Sequence, residues 1–261
     1  MRWLTPAGVL EARHRRRIVD LSPVEVLRAA PVERLKDRAF LECEILPRLG
    51  LTEEAPEDFP PELHAMKARG LRIFQYPNQL SPYLVALAGL PIRSYLELGV
   101  LDGGTFIVTV EYLRRFDLVE RATAIDIGPM LAVERYATRA HGVEAIRLAS
   151  GTPAFDALVR ERAPDLVLID ADHSLAAVRR DFASVVPHAR AIAFHDISHN
   201  CWPGVRQVWD SFRAEQNEHW DFQEFTAQYQ EVTERMGGTL FGIGLAVRKD
   251  LVHEASVSGH H

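Results

Sequence analysis

Residues 94–105 read SYLELGVLDGGT, and this stretch decides the fold. An apolar run ends in the pattern Glu-x-Gly-x-x-x-Gly-Gly, and a helix-like segment follows it directly. The pattern predicts a strand, a glycine turn and the N-terminus of a helix. At such a turn, Glu97, Gly99 and Gly103 mark the place where bare backbone and free N–H groups allow a cofactor to approach closely.

Short apolar strands alternate with helical patterns from this turn onward. We predict strands at 94–98, 121–125, 144–148, 165–169, 190–194 and 239–247. We predict helices at 104–115, 129–140, 153–162, 174–186 and 203–216. This alternation is typical of a parallel sheet covered by helices on both faces, so the sequence predicts an α/β fold. The last strand follows the last helix and is expected at or near an edge of the sheet.

The first 90 residues have a different pattern and predict a helical N-terminal extension. Two helical patterns lie near 22–30 and 32–46, and a loop rich in Pro and Glu follows at 53–61. Ser81 and Pro82 then predict the start of another helix, because serine caps helices and proline suits their first position. The chain thus divides into an extension (1–90), a core (91–250) and a tail (251–261) whose closing SGHH resembles an affinity-tag remnant.

Composition excludes several classes of protein. The 261 residues are 47% hydrophobic and 25% charged, as in one soluble α/β core with a modest extension. A net charge of -6 argues against a nucleic-acid binder, although the basic stretch at 13–17 is either a solvated helix face or a contact for an acidic partner. No apolar segment is long enough to span a membrane, and the first 20 residues are too charged for a secretory signal. The two cysteines lack metal-ligand spacing, which suits the reducing cytoplasm.

Polar residues follow each predicted parallel strand. In such a sheet the ligand lies beyond the carboxyl ends of the strands, so these residues are expected to meet at one edge. They are Glu97 and Gly99 at the first strand, Asp126 at the second, Ser150 after the third, Asp170 with Asp172 and His173 after the fourth, and His195 with Asp196 after the fifth.

Asp126 indicates what kind of cofactor to expect. A carboxylate at this strand end has the reach and charge to bind two vicinal ribose hydroxyls, which is favoured over the alternative that it caps a helix beginning near Pro129. The glycine turn is not Gly-x-Gly-x-x-Gly, and no Gly-Lys-Ser/Thr phosphate loop is present. A nucleoside cofactor without phosphate is therefore favoured over a dinucleotide or a nucleoside triphosphate.

The run 95–104, with Asp126 one strand later, resembles the cofactor site of class I S-adenosylmethionine-dependent methyltransferases over roughly residues 93–248. LIDADHS at 168–174 and AFHDI at 193–197 are similar to a group of small-molecule O-methyltransferases. This group includes the macrocin and mycinamicin sugar methyltransferases and the cephalosporin hydroxylase-like proteins. The resemblance implies a Rossmann-like three-layer sandwich with a mostly parallel seven-stranded sheet. It also implies S-adenosylmethionine as cofactor, with Ser150 near the adenine.

The resemblance further implies roles for the strand-end residues. Asp170 and Asp196 match metal ligands of the metal-dependent members, and His173 matches the catalytic base of the macrolide-sugar enzymes. His195 is a departure, because the sugar enzymes have a carboxylate at this position. Magnesium prefers oxygen ligands, so the imidazole favours a softer divalent ion, or a His195 that acts as a base or hydrogen-bonding group without metal. Asp172 either supplies the missing carboxylate or caps helix 174–186.

The residues support the same chemistry without the resemblance. Two carboxylates and two histidines at adjacent strand ends can hold a divalent cation, which lowers the pKa of a bound hydroxyl while a histidine accepts its proton. The alternative is that His173 and His195 are only hydrogen-bonded polar residues. Three further pairs each have a functional and a packing interpretation: Trp202 and Trp209 as substrate platform, His199 and Asn200 as pocket lining, and Tyr76 and Gln79 as a lid over the cofactor.

The sequence thus predicts an S-adenosylmethionine-dependent O-methyltransferase that acts on a small hydroxylated metabolite. A sugar hydroxyl of a natural product is the first choice, and a phenol or catechol is the second. In this hypothesis Asp170, His173 and His195 are catalytic, Asp170, His195 and Asp196 hold a divalent cation, and Gln79 adds a cofactor contact. No nucleic-acid or membrane partner is expected, and the N-terminal extension is expected to form a homo-oligomer contact. The alternatives are a nicotinamide-dependent oxidoreductase and a non-catalytic nucleoside-binding partner subunit.

Overall fold

Seven strands form one sheet in the computed structural model, which describes residues 19–53 and 58–251. The strands are β1 (Ser94–Leu98), β2 (Arg121–Asp126), β3 (Val143–Arg147), β4 (Leu166–Ile169), β5 (Ala191–His195), β6 (Trp220–Phe225) and β7 (Ile243–Arg248). Their order is β3-β2-β1-β4-β5-β7-β6. The first five are parallel, and β7 runs antiparallel to both β5 and β6. The predicted Rossmann-like, mostly parallel sheet is confirmed, and its order reverses between β1 and β4, where such sheets bind ligands.

Helices cover both faces of this sheet. They are α1 (Val24–Ala29), α2 (Arg38–Phe40), α3 (Leu46–Leu49), α4 (Pro77–Ala88), α5 (Gly104–Arg114), α6 (Leu131–Ala137), α7 (Pro153–Arg162), α8 (Leu175–Val185), α9 (Pro203–Gln216) and α10 (Gln230–Met236). A π-helical segment, Leu41–Ile45, joins α2 to α3, and 3-10 turns occur at Arg34–Lys36 and Pro61–Met66. The predicted helices of the core are present, and those at 153–162 and 203–216 match residue for residue.

The core consists of two hydrophobic layers, one on each face of the sheet. Alternate residues of a strand point to opposite faces, so Tyr95 and Leu168 join one layer while Leu96 and Val167 join the other. The first layer also contains Leu27 of α1 and the apolar side chains of α4 and α5. The helices at 19–90 therefore share a hydrophobic core with the sheet, and the division into extension and core remains a prediction.

The second N-terminal helical pattern, predicted at 32–46, is interrupted. Asp37 has extended backbone and its carboxylate accepts hydrogen bonds from the N–H groups of Ala39 and Phe40, so a new helix begins there. The preceding residues form only a 3-10 turn. The carboxylate satisfies N–H groups at a helix start, and this local bond outweighs the continuous apolar periodicity.

The helix predicted to begin at Ser81 begins at Pro77, so that prediction was wrong by one turn. Pro77 occupies the first turn, where a missing N–H has no consequence, and the carbonyl of Tyr76 accepts from Gln79 and Leu80. Pro82 lies inside the helix. Ser81 does not cap it, because its hydroxyl donates to the carbonyl of Arg38 at 2.6 Å and ties α4 to α2.

Strand β6 and helix α10 were not located from the sequence. In the strand, WDFQEF, the ends Trp220 and Phe225 are buried and the residues between them are partly exposed. So short a segment follows a long helix without a strong turn signal, and its pairing with β7 defines it as an edge strand. The strand predicted at 239–247 begins only at Ile243 and lies next to this edge.

Some sequence predictions concern residues that are not described. The basic stretch at 13–17, residues 54–57 of the predicted loop and the tail from 252 onward lie outside the described residues. Within 19–53 and 58–251, no helix combines the length and the apolar character that a membrane span requires. Cys43 and Cys201 are both exposed and unpaired as disulfides.

Candidate active site

Four predicted residues converge at the carboxyl ends of β4 and β5. Nε2 of His173 lies 3.3 Å from Oδ1 of Asp170 and 3.0 Å from Oδ2 of Asp196. Nδ1 of His195 lies 3.2 Å from Oδ1 of Asp170 and 3.1 Å from Oδ1 of Asp196. Four ligand atoms, one from each residue, lie within 4.8 Å of one another. We call these four residues the strand-end cluster.

The backbone at Asp196 brings both residues of the His195–Asp196 pair into the cluster. Successive side chains of a strand point to opposite faces, so an extended backbone would direct only one of them there. Asp196 has φ of 64°, a left-handed conformation that costs roughly 1–3 kcal/mol for a residue with a side chain. This conformation ends β5 and turns Asp196 toward the same point as His195.

The inner half of the cluster is buried. The side chains of His195 and Asp196 are 5% and 8% exposed, whereas those of His173 and Asp170 are 20% and 22% exposed. Among the described residues, Nδ1 and Nε2 of His195, Nε2 of His173 and Oδ1 of Asp196 are buried without a hydrogen bond of good geometry. Buried polar atoms without partners are costly, so this concentration of them indicates a site for a ligand or ion.

Electrostatic coupling shifts the pKa values of the cluster strongly. Burial alone would lower the pKa of His173, but Asp170 and Asp196 outweigh it and raise the pKa to about 10. Burial likewise opposes, and the same two carboxylates raise, the pKa of His195 to about 9. The two imidazoles hold the pKa of Asp196 far below its usual value although burial opposes this. The coupling therefore favours the protonated form of both imidazoles and the ionised form of Asp196.

Asp126 lies at the end of β2 and holds the glycine turn. Its Oδ2 accepts from the N–H groups of Val100 at 2.9 Å and Leu101 at 3.1 Å, and its Oδ1 accepts from Gly128 at 2.8 Å. It does not cap the following helix, because α6 begins at Leu131 and no side chain caps it. The structure thus places Asp126 against the glycine turn, and its contact with a cofactor stays a prediction.

The glycines of the turn are explained by close packing within the chain. A Cβ on Gly99 would lie 2.1 Å from the carbonyl oxygen of Asp170, and one on Gly103 would lie 2.5 Å from Val133. Both glycines have φ of 84°, which side-chain residues rarely adopt. A Cβ on Gly104 would lie 2.6 Å from the carbonyl oxygen of Leu71. The missing side chains therefore let β1 approach β4 and let the N-terminal segment cover the start of α5.

Glu97 is buried directly beneath the turn. The hydroxyl of Tyr95 donates a hydrogen bond to its Oε2. Burial raises the pKa of Glu97 to about 8, and this exceeds the opposing effect of the Tyr95 hydrogen bond. The charge of Asp170 further raises the pKa of Glu97, and the charge of His195 lowers it. Glu97 is thus electrically coupled to the strand-end cluster, a link that the sequence pattern did not predict.

Three other predicted residues lie outside the cluster. Ser150 follows β3 at the same edge of the sheet. Asp172 accepts from the N–H of Ser174, the residue that caps α8, and is not among the four cluster residues. Gln79 is fully buried and binds backbone: it donates to Ala227 at 2.6 Å and accepts from Gly242 at 2.9 Å. These contacts dock α4 against the loop that follows β6 and the loop that precedes β7.

An aromatic wall borders the cluster. The indole of Trp202 stacks on the imidazole of His173, and His199 packs against both Trp202 and Phe241. Phe241 also contacts the ring of His195 edge-on, with centroids 6.1 Å apart. Sequence reasoning missed Phe241, for which the only signal was the aromatic residue beside Gly242 ahead of the last strand.

The remaining candidates have packing roles. Trp209 is buried and donates through Nε1 to Glu224 at 2.7 Å. Asn200 accepts from the backbone and the hydroxyl of Thr239. Tyr76 is buried and donates to the carbonyl of Asp58 at 2.6 Å. A groove of about 810 Å³, bordered by Phe182, Phe212 and Trp220, contains none of the predicted site residues.

Comparisons with known proteins agree with this architecture. Residues 96–197 match a family model described as a methyltransferase domain. The crystal structure of cofactor-bound Rv0187 from MTB is 16% identical, with a TM-score of 0.50 over 94% of this chain and 98% of that chain. The O-methyltransferase from Bacillus cereus, solved with SAH, is 17% identical, with a TM-score of 0.47 over 93% of this chain and 97% of that chain. No curated protein matches the sequence.

At such low identity, the structural likeness shows the fold alone. The family model covers the part of the chain that runs from β1 through β5, including the glycine turn, Asp126 and the whole strand-end cluster. Residues 96–197 therefore match a methyltransferase domain, and they lie on a Rossmann-like fold.

Proposed function

We propose that the protein is an S-adenosylmethionine-dependent O-methyltransferase that methylates a hydroxyl of a small metabolite with the help of a divalent cation. The observation that carries the proposal is the strand-end cluster. It brings two carboxylates and two imidazoles together at the ends of β4 and β5, next to the switch point between β1 and β4 and beside the glycine turn that Asp126 holds.

The residues near β1 and β2 fit the nucleoside part of the cofactor. Asp126 is only partly buried. Its Oδ2 accepts two backbone hydrogen bonds and its Oδ1 accepts only one, so Oδ1 retains a lone pair. A ribose hydroxyl is a suitable donor to this oxygen. Glu97, Gly99, Gly103, Ser150 and Gln79 stay predicted cofactor residues, of which Gln79 has the least free hydrogen-bonding capacity.

The strand-end cluster fits a divalent cation by charge. The two carboxylates raise the pKa values of both imidazoles, which favours positive charge on the imidazoles beside them. Loss of both protons leaves two negative charges, and one divalent cation restores neutrality. The ion would be held by Asp170, His195 and Asp196. Nδ1 of His195 and Oδ1 of Asp196, which are buried without a hydrogen bond of good geometry, would be among its ligand atoms. When bound, such an ion lowers the pKa of a coordinated hydroxyl.

His173 is the base in this proposal. It is the more exposed imidazole of the cluster, and its Nε2 faces the point where the two carboxylates meet. A neutral imidazole there accepts the proton of an acceptor hydroxyl, and Trp202 keeps the ring in place. The cofactor supplies an electrophilic methyl group on a sulfonium, so the protein chiefly aligns the two reactants.

The acceptor is assigned to a hydroxylated small molecule, a sugar first and a phenol or catechol second. The resemblance of LIDADHS and AFHDI to the sugar methyltransferases supports the first choice. The partly exposed ring of Trp202 beside His173 supports both, because the apolar face of a sugar and an aromatic ring each pack on an indole.

Calorimetry with S-adenosylmethionine tests the cofactor assignment. We expect the wild-type chain to bind the compound and the Asp126→Ala variant to bind it much more weakly. Incubation of both proteins with sugar and phenol acceptors, followed by mass spectrometry, then tests methyl transfer. Failure of the wild-type chain to bind S-adenosylmethionine would end the proposal.

Neither alternative predicted from the sequence gains support. The methyltransferase match favours methyl transfer over nicotinamide chemistry, and the intact cluster favours catalysis over a non-catalytic partner subunit. A homo-oligomer formed through the N-terminal extension and a cytoplasmic location both stay predictions. Light scattering of the purified chain tests the first of these.

A further inference from the structure

We propose that the strand-end cluster selects a first-row transition ion, of the Mn²⁺, Fe²⁺, Co²⁺ or Zn²⁺ class, over Mg²⁺, and that His195 decides this selection. The inference rests on the proposed function only in that both use the same site. It concerns the identity of the ion, and ion binding is measurable without any methyl transfer.

The donor set is the first argument. Magnesium prefers an octahedron of oxygen atoms and commonly keeps several waters, whereas imidazole nitrogen suits zinc, iron, cobalt and related ions. Nδ1 of His195 lies between the two carboxylates, within 3.2 Å of Asp170 and 3.1 Å of Asp196. An ion that both carboxylates bind therefore has this nitrogen within reach as a third donor, as near as Nε2 of His173, which the proposed function keeps free as the base.

The burial of His195 is the second argument. Its side chain is only 5% exposed, its ring packs edge-on against Phe241, and neither ring nitrogen has a hydrogen bond of good geometry among the described residues. The ring has no solvent to turn toward and no competing acceptor that would hold Nδ1 away. The inner side of the cluster is buried, which disfavours an ion that dehydrates reluctantly.

The backbone is the third argument. Asp196 adopts a left-handed conformation that turns it toward the same point as its neighbour His195. Without it, Asp196 would face away and the cluster would have a single carboxylate. This strained turn thus preserves a mixed nitrogen and oxygen donor set at one point.

Calorimetry on the chelator-treated full chain, with Co²⁺ and Mg²⁺ as the probes, tests the inference. We expect Co²⁺ to bind more than about tenfold tighter than Mg²⁺ and to produce the visible absorption typical of nitrogen ligation. In His195→Asp, which offers a third carboxylate, we expect this ratio to fall at least about fivefold. His188→Asp makes the same change outside the cluster and should leave the ratio unchanged.

Two results would overturn the inference. One is a wild-type protein that binds Co²⁺ no more than about tenfold tighter than Mg²⁺. The other is a folded His195→Asp variant whose preference for Co²⁺ over Mg²⁺ equals that of the wild type. If His195→Asp does not fold, the wild-type ratio and its Co²⁺ spectrum still decide. Separate calorimetry with S-adenosylmethionine distinguishes the two proposals, because an ion site that binds Co²⁺ can coexist with a failed cofactor assignment, and the reverse.

Discussion

The indole of Trp202 lies over the imidazole of His173, with ring centroids 5.1 Å apart and ring planes inclined by 27°. Trp202 immediately precedes α9, and its backbone N–H donates to the backbone carbonyl of His199 at 2.9 Å. The ring that faces Asp170 and Asp196 is therefore held from behind by a side chain anchored at the start of a helix.

Replacement of Trp202 by alanine is expected to slow methyl transfer by roughly 10- to 100-fold, because His173 loses the surface that orients it. The effect is measured from initial rates with an acceptor that the wild-type protein methylates. Trp202→Phe keeps an aromatic face and should retain most of the activity. An alanine variant as fast as the wild type would show that the stack has no positioning role.

Replacement of Asp126 by asparagine is expected to weaken S-adenosylmethionine binding by at least about tenfold, because a hydrogen bond to a charged group contributes roughly 1.5–3 kcal/mol. Calorimetry gives the dissociation constants. Asp221→Asn removes one negative charge from an exposed position on β6 and serves as the control. Equal affinity in Asp126→Asn and wild type would remove Asp126 from the cofactor site.

Glu97 is expected to make stability depend on pH. Its pKa is about 8 in the folded chain, against 4.5 for an unperturbed glutamate, so the folded state binds one more proton between these values. The stabilisation is complete below the lower value and is lost as the pH rises through the upper one.

Urea unfolding at several pH values tests this. The free energy of unfolding of the wild type should fall more steeply between about pH 5 and pH 8 than that of Glu97→Gln, by up to about 1.4 kcal/mol per pH unit. The histidines of the strand-end cluster titrate in both proteins. Because His195 acts on the charge of Glu97, the difference between the two curves reports Glu97 together with this coupling. Parallel pH curves would contradict a raised pKa at Glu97.

Arg28 is expected to stabilise the attachment of α1 to the core. Its Nε donates to Glu111 of α5 at 2.9 Å, and Glu111 is buried and also accepts from Tyr136 at 2.6 Å. Arg28→Ala should lower the free energy of unfolding by about 1–3 kcal/mol, because a buried carboxylate loses its cation. Glu25→Ala removes only the exposed partner of Arg28, so the free energy of unfolding should change by less than about 1 kcal/mol. Equal losses in the two urea experiments would argue against this attachment.

Much of the fold was predictable because its signals are local. The glycine turn, the five parallel strands and the core helices follow from short apolar runs and from periodicity within each segment. The meeting of Asp170, His173, His195 and Asp196 was also predictable, since parallel strands that alternate with helices have their carboxyl ends at one edge. Residue types and topology were enough to bring these four together.

Other features were decided only by contacts between distant segments. The sequence alone showed neither that Phe241 packs on His195 nor that Gln79 binds the loops beside β7. Strand β6 is defined by its partner β7, and helix α4 begins at Pro77 although the Ser81–Pro82 pair looks like a start.

The amino-acid sequence by itself determined which polar groups stand at which strand end, because that depends on order and periodicity along the chain. The tertiary structure decided where those groups point. The left-handed backbone of Asp196 and the stack of Trp202 on His173 are maintained by surrounding packing, and local preference alone would not select the strained conformation at Asp196. Side-chain direction at the site is therefore a property of the folded core.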